Sequence, residues 1–508
     1  MKTLEDRMNL YMDAGFPILY LETFEDDKAI QIIDEAAANR PIVEWNVRGL
    51  FYHKNPTLNM EGISLPEALG NFASPDRMDN EKFALKFNLE RKVLVLKDVQ
   101  TMLDDSGVIA QLKYLAEQIA LGMLSECNIV ILAPVAKIPR ELEHYITILS
   151  MEYPSPEEIR QIVVDFCKEQ GTRSPSEEFL KELIFSLKGL HEFEIRNLLA
   201  LSLANDGEIN KADLMLIHGQ KEQMVRKSGI MEMIPLKEGI DDIGGLDNLK
   251  KWLLRKAKIL KNIEKAREYG VAMPKGVLIA GLPGCGKSLN AKAAAALFEV
   301  PLLRLDMGRL MGKYVGESEA NLRKAISLAE AISPCVLWID ELEKAFAGIS
   351  GQGGGAEVTT RLFGTFLTWM QEKDGLSFVV ATANDITKLP PELLRKGRFD
   401  EIFYVGLPNI QERKKIFDIH IEKRRKKDLQ SIDTTQLAKQ TEGYSGADIE
   451  GVVKDAIEVA FTQDKPRLVT EDLLRAIKET ASLSEIMKDS IKKMSETYQK
   501  NKFKNASV

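Results

Sequence analysis

Gly281-Leu282-Pro283-Gly284-Cys285-Gly286-Lys287-Ser288 is the stretch on which the reading of this chain turns. It fits the pattern G-x-x-x-x-G-K-[ST] and follows the apolar run Val277-Leu278-Ile279-Ala280, so a short strand should enter it. The next residues, Leu289-Asn290-Ala291-Lys292-Ala293-Ala294-Ala295-Ala296, are rich in strong helix formers, so a helix should leave it with its N-terminus aimed at the loop. Glycines here let successive backbone N–H groups curl around a phosphate. Lys287 would reach the β and γ phosphates, and the Ser288 hydroxyl would complete the shell of a Mg²⁺ ion. Gly281, Pro283, Gly284, Cys285, Gly286, Lys287, Ser288 and Leu289 therefore predict a nucleoside triphosphate site.

Composition bounds what surrounds this site. At 508 residues the chain exceeds what one core serves, so several domains are expected. Its 44% hydrophobic and 29% charged residues fit an ordinary globular protein. Charges, Gly or Pro interrupt every apolar run well short of the about 18 residues of a membrane span. Met1-Lys2-Thr3-Leu4-Glu5-Asp6-Arg7 carries acids where a targeting peptide would avoid them, which points to a cytoplasmic location. The 4 cysteines show no metal-ligand spacing and read as reduced thiols. Cys285 is either a redox switch or a loop position that tolerates many side chains. A net charge of −7 argues against nucleic acid as a partner, and the basic run Lys423-Arg424-Arg425-Lys426-Lys427 reads as a solvated helix end.

Downstream, Cys335-Val336-Leu337-Trp338-Ile339-Asp340-Glu341 is an apolar run ending in two acids. It predicts a buried parallel strand that delivers carboxylates to the sheet's C-terminal edge. Asp340 would hold Mg²⁺ through water, and Glu341 would polarise the water that attacks the γ-phosphate. Joined to the loop about fifty residues upstream, the pair predicts an ATPase of the P-loop type.

From about Ile240 to Thr480 the chain resembles the AAA ATPases, through the loop, Asp340-Glu341 and further segments. The resemblance implies a P-loop AAA+ parallel-sheet α/β domain with a C-terminal helical lid, using ATP and Mg²⁺. It sets Asp242, Ile243 and Gly244 of Ile240-Asp241-Asp242-Ile243-Gly244-Gly245-Leu246 against the adenine. Asn384, ending Phe378-Val379-Val380-Ala381-Thr382-Ala383-Asn384, would bond the attacking water or the γ-phosphate. Arg395 and Arg398 would project into a neighbouring subunit's site, where a guanidinium stabilises developing charge, so hydrolysis would require a homo-oligomer, typically a hexameric ring. His420 matches a lid histidine that contacts nucleotide. Gly446 and Ala447, within Gly443-Tyr444-Ser445-Gly446-Ala447-Asp448, match the second sensor region. Many wider AAA+ relatives carry arginine where Ala447 stands, which places the chain in the narrower AAA clade.

Lys313, Tyr314 and Val315 resemble the first pore loop, whose aromatic grips an unfolded polypeptide without needing a particular sequence. Packing of Tyr314 within its own domain is the other reading. Gly348-Ile349-Ser350-Gly351-Gln352-Gly353-Gly354-Gly355 is too glycine-rich for regular structure and reads as a second pore loop or a plain connector. No H-e-x-x-h zinc motif occurs, so this is not a self-contained AAA protease.

The first half echoes the second at a spacing of about 250 residues. Asn128 to Ala133 followed by Ile138 to Leu142 parallels Phe378 to Asn384 followed by Leu389 to Leu393. Tyr153 to Glu158 parallels Leu407 to Glu412, Gly189 to Ile195 parallels Gly443 to Ile449, and Ile209 to Leu214 parallels Leu468 to Leu473. In this register the acids Glu22, Glu25 and Asp27 stand where the loop has glycines, Lys97 replaces Asp340, and Ala133 replaces Asn384. The expectation is a degenerate AAA-like α/β module that does not hydrolyse ATP.

This layout resembles the AAA proteins of cyanobacteria and algal chloroplast genomes, which would place a plastid-encoded copy in the stroma. The expected boundaries are a degenerate module at 1–220, a linker at 221–236, the ATPase core at 237–406, the lid at 407–485 and a fraying polar tail at 486–508. The leading functional expectation is an oligomeric protein-remodelling or unfolding motor acting on a protein substrate. An ATP-dependent regulatory scaffold that binds a partner without threading it is the alternative, and a nucleic-acid-linked ATPase is a third, disfavoured by the acidic balance.

Overall fold

Short apolar runs alternate with amphipathic helices along this chain, and the alternation builds two sheets of mainly parallel strands. The computed structural model describes residues 3–74, 87–227, 229–310, 317–346, 354–373, 375–500 and 503–507. It divides into two compact units, Met1–Tyr153 and Pro154–Val508.

The first unit holds β1 (Ile18–Glu22), β2 (Ile42–Asn46), β3 (Gly49–Tyr52), β4 (Met60–Glu61), β5 (Val93–Lys97), β6 (Asn128–Ala133) and β7 (Ile146–Ser150), ordered β4-β3-β2-β5-β6-β1-β7. Its central strands are apolar on both faces because helices cover both. Leu19, Leu21, Val95 and Val130 pack beneath Met8 and Ile33, while Tyr20, Leu94, Leu96 and Ile131 face Leu112 and Leu115.

The second unit opens with four helices, Pro156–Glu169, Glu177–Leu187, Glu192–Asp206 and Asp213–Lys227. Its sheet contains β8 (Met231–Ile234), β9 (Gly276–Gly281), β10 (Leu302–Leu305), β11 (Cys335–Ile339), β12 (Ser377–Ala383), β13 (Glu401–Val405) and β14 (Lys504–Asn505), ordered β14-β13-β9-β12-β11-β10-β8. The lid follows as helices Ile410–Arg425, Thr434–Gln440, Gly446–Thr462 and Thr470–Glu479 around Phe417, Leu437, Val453 and Leu473. Among the described residues no helix is long and apolar enough to cross a membrane.

The internal repeat is visible in the topology. The parallel strands run β2-β5-β6-β1-β7 in one sheet and β10-β11-β12-β9-β13 in the other, which is the same order when each set is counted along the chain. Helix starts agree as well, because an acid in the first turn accepts the N-cap amide in both copies. Glu158 bonds Ser155 N and Glu412 bonds Asn409 N; Glu194 bonds His191 N and Asp448 bonds Ser445 N; Asp213 bonds Asn210 N and Asp472 bonds Val469 N.

Two stretches differ from expectation. The segment 221–236 contains the end of helix Asp213–Lys227 and the strand β8, which pairs antiparallel with β10. Lys221 is buried there, and its Nζ donates to the Ser186 carbonyl at 3.0 Å. The four helices that begin at Pro156 accordingly share a unit with β8 to β14 rather than with β1 to β7. Among the described residues of the tail, which was expected to fray, Lys488–Lys500 is helical, and β14 adds a strand to the edge of β13. Tyr498 stacks on Tyr404 with ring centres 4.0 Å apart, and Ala506 is fully buried. The Ala506 carbonyl accepts from the amides of Asn248 and Leu249 at 3.0 and 3.2 Å. These amides open the helix Asp247–Leu260, whose N-cap Leu246 offers no side-chain oxygen, so the chain's last residues supply the cap.

Candidate active site

β9 ends at Gly281, and the helix Lys287–Phe298 begins six residues later on the other side of the loop. Gly281 has φ +153°, and a Cβ there would stand 2.0 Å from the Val405 carbonyl oxygen, so its role is close approach of β9 to β13 rather than lining the cleft. Gly284 and Gly286 have φ of +72° and +82°, the left-handed turns that an N–H nest requires. Lys287 is nearly buried, and its Nζ donates to the carbonyls of Gly281 and Leu282 at 3.0 and 2.7 Å. Burial lowers its pKa, against the nearby Cys285, Glu343, Asp340 and Glu341.

β11 brings the two acids to the same edge. The Ser288 hydroxyl donates to Asp340 Oδ1 at 3.2 Å, and the Thr382 hydroxyl donates to the same oxygen at 2.5 Å. Glu341 follows with φ +50°. Its Oε1 accepts from Asn384 Nδ2 at 3.1 Å, and its Oε2 pairs with the exposed Lys344 at 2.6 Å. Asn384 is held in turn, because its amide donates to Oε1 of the buried Glu343 at 3.1 Å.

These groups share a cleft of about 500 Å³ with the entry segment and the lid. Asp242, Ile243 and Gly244 line one side, and His420, Gly446 and Ala447 line another. Lys423 reaches across to Asp242 at 2.6 Å and, with the Gly239 amide, holds that carboxyl below its usual range. The Ala447 amide donates to the Gly284 carbonyl at 2.9 Å, so the lid helix meets the phosphate loop directly. Burial lowers the pKa of His420, and the cations Arg424, Lys423 and Lys454 act in the same direction against Glu450. Burial also pushes the Cys285 thiol up to about 11. In the basic run, Lys423, Arg424, Arg425 and Lys426 each pair with an acid.

Pro283, Cys285 and Leu289 line the cleft with Gly284, Gly286, Lys287 and Ser288. Arg395 and Arg398 do not line it: Arg395 is exposed, and Arg398 donates to the Glu392 carbonyl. Lys313, Tyr314 and Val315 lie outside the described residues, as do 348–353. Sequence reasoning missed Thr382, Glu412, Ile416 and Glu450, which line the same cleft. Glu412 is buried and accepts from the Leu246 amide at 3.0 Å, tying the lid to the entry segment.

The equivalent edge of the first unit is built differently. Only Thr23, Phe24 and Glu25 separate β1 from the helix Asp26–Ala36, too short a run for the nest. Asp98 keeps the left-handed backbone of Glu341, with φ +55°, but Lys97 before it lies 3.5 Å from both Asp26 and Glu44. Burial pushes the Glu44 carboxyl up, yet bonds from His53 and Asn46 and the charge of Lys97 bring it down to about 2. An internal ion-pair network occupies the position where the second unit has its acid.

A strand-loop-helix cradle for phosphate, flanked by strand-end acids under a helical lid, defines a P-loop nucleotide-binding protein. The model of the ATPase family associated with various cellular activities (AAA) matches residues 277–407, and that of the AAA+ lid domain matches 431–476. Models of the N-terminal and second domains of the SpoVK-like AAA ATPase match 4–151 and 157–228. The chain is 39% identical to the AAA domain-containing protein ycf46 of Guillardia theta, over 98% of its own length and 95% of the relative's. For the ycf46 protein of Pyropia yezoensis the identity is 35%, over 99% of each chain. A proteasome-activating nucleotidase of Methanosarcina mazei is 32% identical over 54% of this chain and 65% of that protein. The chain belongs to the AAA ATPases and is an ATP-hydrolysing enzyme.

Proposed function

We propose that this protein is an oligomeric motor that remodels or unfolds other proteins with energy from one ATP site per chain. The observation that carries the reading is the convergence of Lys287, Ser288, Asp340, Glu341 and Asn384 on one cleft closed by the lid. Its donor set suits MgATP: two left-handed glycines and a buried lysine would hold the phosphates, and the Ser288–Asp340 pair would offer the oxygen ligands a hard cation takes. When bound, Mg²⁺ would neutralise phosphate charge. Lys287 would exchange its two carbonyl partners for phosphate oxygens. Glu341, with Oε1 fixed by Asn384, would take a proton from the attacking water. Arg395 and Arg398 would serve a neighbouring chain's cleft in a hexameric ring, in keeping with their position outside their own. Tyr314 would grip substrate. The similarity to a proteasome-activating nucleotidase supports a protein-directed role. The first unit, with Lys97 in the acid's place, would serve assembly or substrate contact without hydrolysis.

Glu341→Gln should bind ATP and lose turnover by about a hundredfold or more, whereas Tyr314→Ala should hydrolyse ATP and lose biological function. Full function in the Tyr314→Ala variant would favour a scaffold that binds a partner without threading it.

A further inference from the structure

We infer that Thr382 is a positioning residue that orients both acids of the site, an inference that rests on the roles proposed above for Asp340 and Glu341. β11 stays in register with β12 up to the pair Ile339 and Ala381. Glu341 lies two residues beyond the end of β11, and its backbone is left-handed. The half-buried Glu341 amide donates to Thr382 Oγ1 at 3.1 Å, which spares it an unsatisfied hydrogen bond. The hydroxyl then has one proton to give, and it goes to Asp340 Oδ1 at 2.5 Å, the range of a charge-assisted O–H···O⁻ bond.

One hydroxyl thus fixes the carboxylate of one acid and the backbone of the next. The Ser288 hydroxyl falls on the same Oδ1, so the two donors set the rotation of the Asp340 carboxylate and leave Oδ2 for the cation's water shell. Glu341 is held in a left-handed conformation that non-glycine residues resist, and its side chain reaches Asn384 from there. Thr382 is 1% exposed, and its hydroxyl is committed to these two partners. Valine would fill the same volume without either hydrogen bond.

The test compares Thr382→Val and Thr382→Ser with the parent, using a fluorescent ATP analogue with and without Mg²⁺, and steady-state turnover. Without Mg²⁺ all three should bind alike, because Lys287 and the glycine loop are untouched. The tightening that Mg²⁺ brings to the parent should survive in Thr382→Ser and weaken about tenfold or more in Thr382→Val, with turnover falling about a hundredfold. A Thr382→Val protein with the parent's Mg²⁺ response would overturn the inference. So would a Thr382→Ser protein that behaves like valine, since the methyl group would then carry the effect. Failure of the underlying site reading has a separate signature: Asp340→Asn would respond to Mg²⁺ as the parent does.

Discussion

Ending the chain after Phe503 removes a strand and a helix cap at once, and the cost can be worked from the contacts. The Ala506 amide loses its bond to the Tyr404 carbonyl, made at 2.8 Å, and its carbonyl leaves the amides of Asn248 and Leu249. A net bond is worth about 1 kcal/mol, a lost N-cap about 1 kcal/mol, and burial of the Ala506 methyl somewhat under 1 kcal/mol. The exposed Lys504–Glu401 pair adds almost nothing. The total is about 3 kcal/mol, equivalent to about a hundredfold in a local opening equilibrium. Hydrogen exchange on the full ATPase reads it directly: amides at the start of Asp247–Leu260 should lose about a hundredfold of protection, with the lid helices unchanged. Since Leu246 borders both that helix and the cleft, nucleotide affinity should fall as well. Protection of Asn248 and Leu249 equal to that of the full chain would refute the reasoning.

Two further outcomes follow from buried charge. Glu44 titrates near 2 in the folded first unit against an ordinary 4.5, so its stabilisation is whole above about pH 4.5 and is lost as the pH falls toward 2. Acid unfolding followed by circular dichroism should show this loss, worth up to about 3 kcal/mol, and Lys97→Met should shift the acid transition to higher pH. Burial lowers both Lys221 and Lys373 to about 8 from an ordinary 10.5. Below pH 8 each is charged in both states, and between 8 and 10.5 only the unfolded chain holds the extra proton, so stability rises with pH through that window. Thermal melting should record the rise, and Lys221→Met or Lys373→Met should diminish it; an unaltered rise in both variants would contradict the burial argument.

What was legible in the sequence is what backbone geometry and short-range spacing encode. The phosphate loop needs its glycines at fixed separations because Gly284 and Gly286 adopt φ that other residues resist, so the motif is local and readable. The repeat was readable for the same reason: capping acids such as Glu158 and Glu412 sit three residues into their helices whatever the packing. Thr382 and Glu412 escaped because their partners, Asp340 and Leu246, lie far away along the chain, and a threonine in an apolar strand or a glutamate in a first helical turn has an ordinary local explanation. The tail reads as fraying because Lys, Ser and Asn dominate its composition, while its docking rests on backbone groups of Lys504 to Ala506 and the ring of Tyr498. The expected linker failed on similar grounds, since Lys221 is polar in composition and buried in fact.

The central claim is a single nucleotide site per chain, formed by the loop from Gly281 to Ser288, with the first unit unable to form a second. Equilibrium titration of the intact protein with ATP and Mg²⁺, counting bound nucleotide per chain, tests it most directly when repeated on Lys287→Ala. One nucleotide per chain is expected for the parent and none for the variant at the same concentrations. A second equivalent in the parent, or binding that persists in Lys287→Ala, would contradict it.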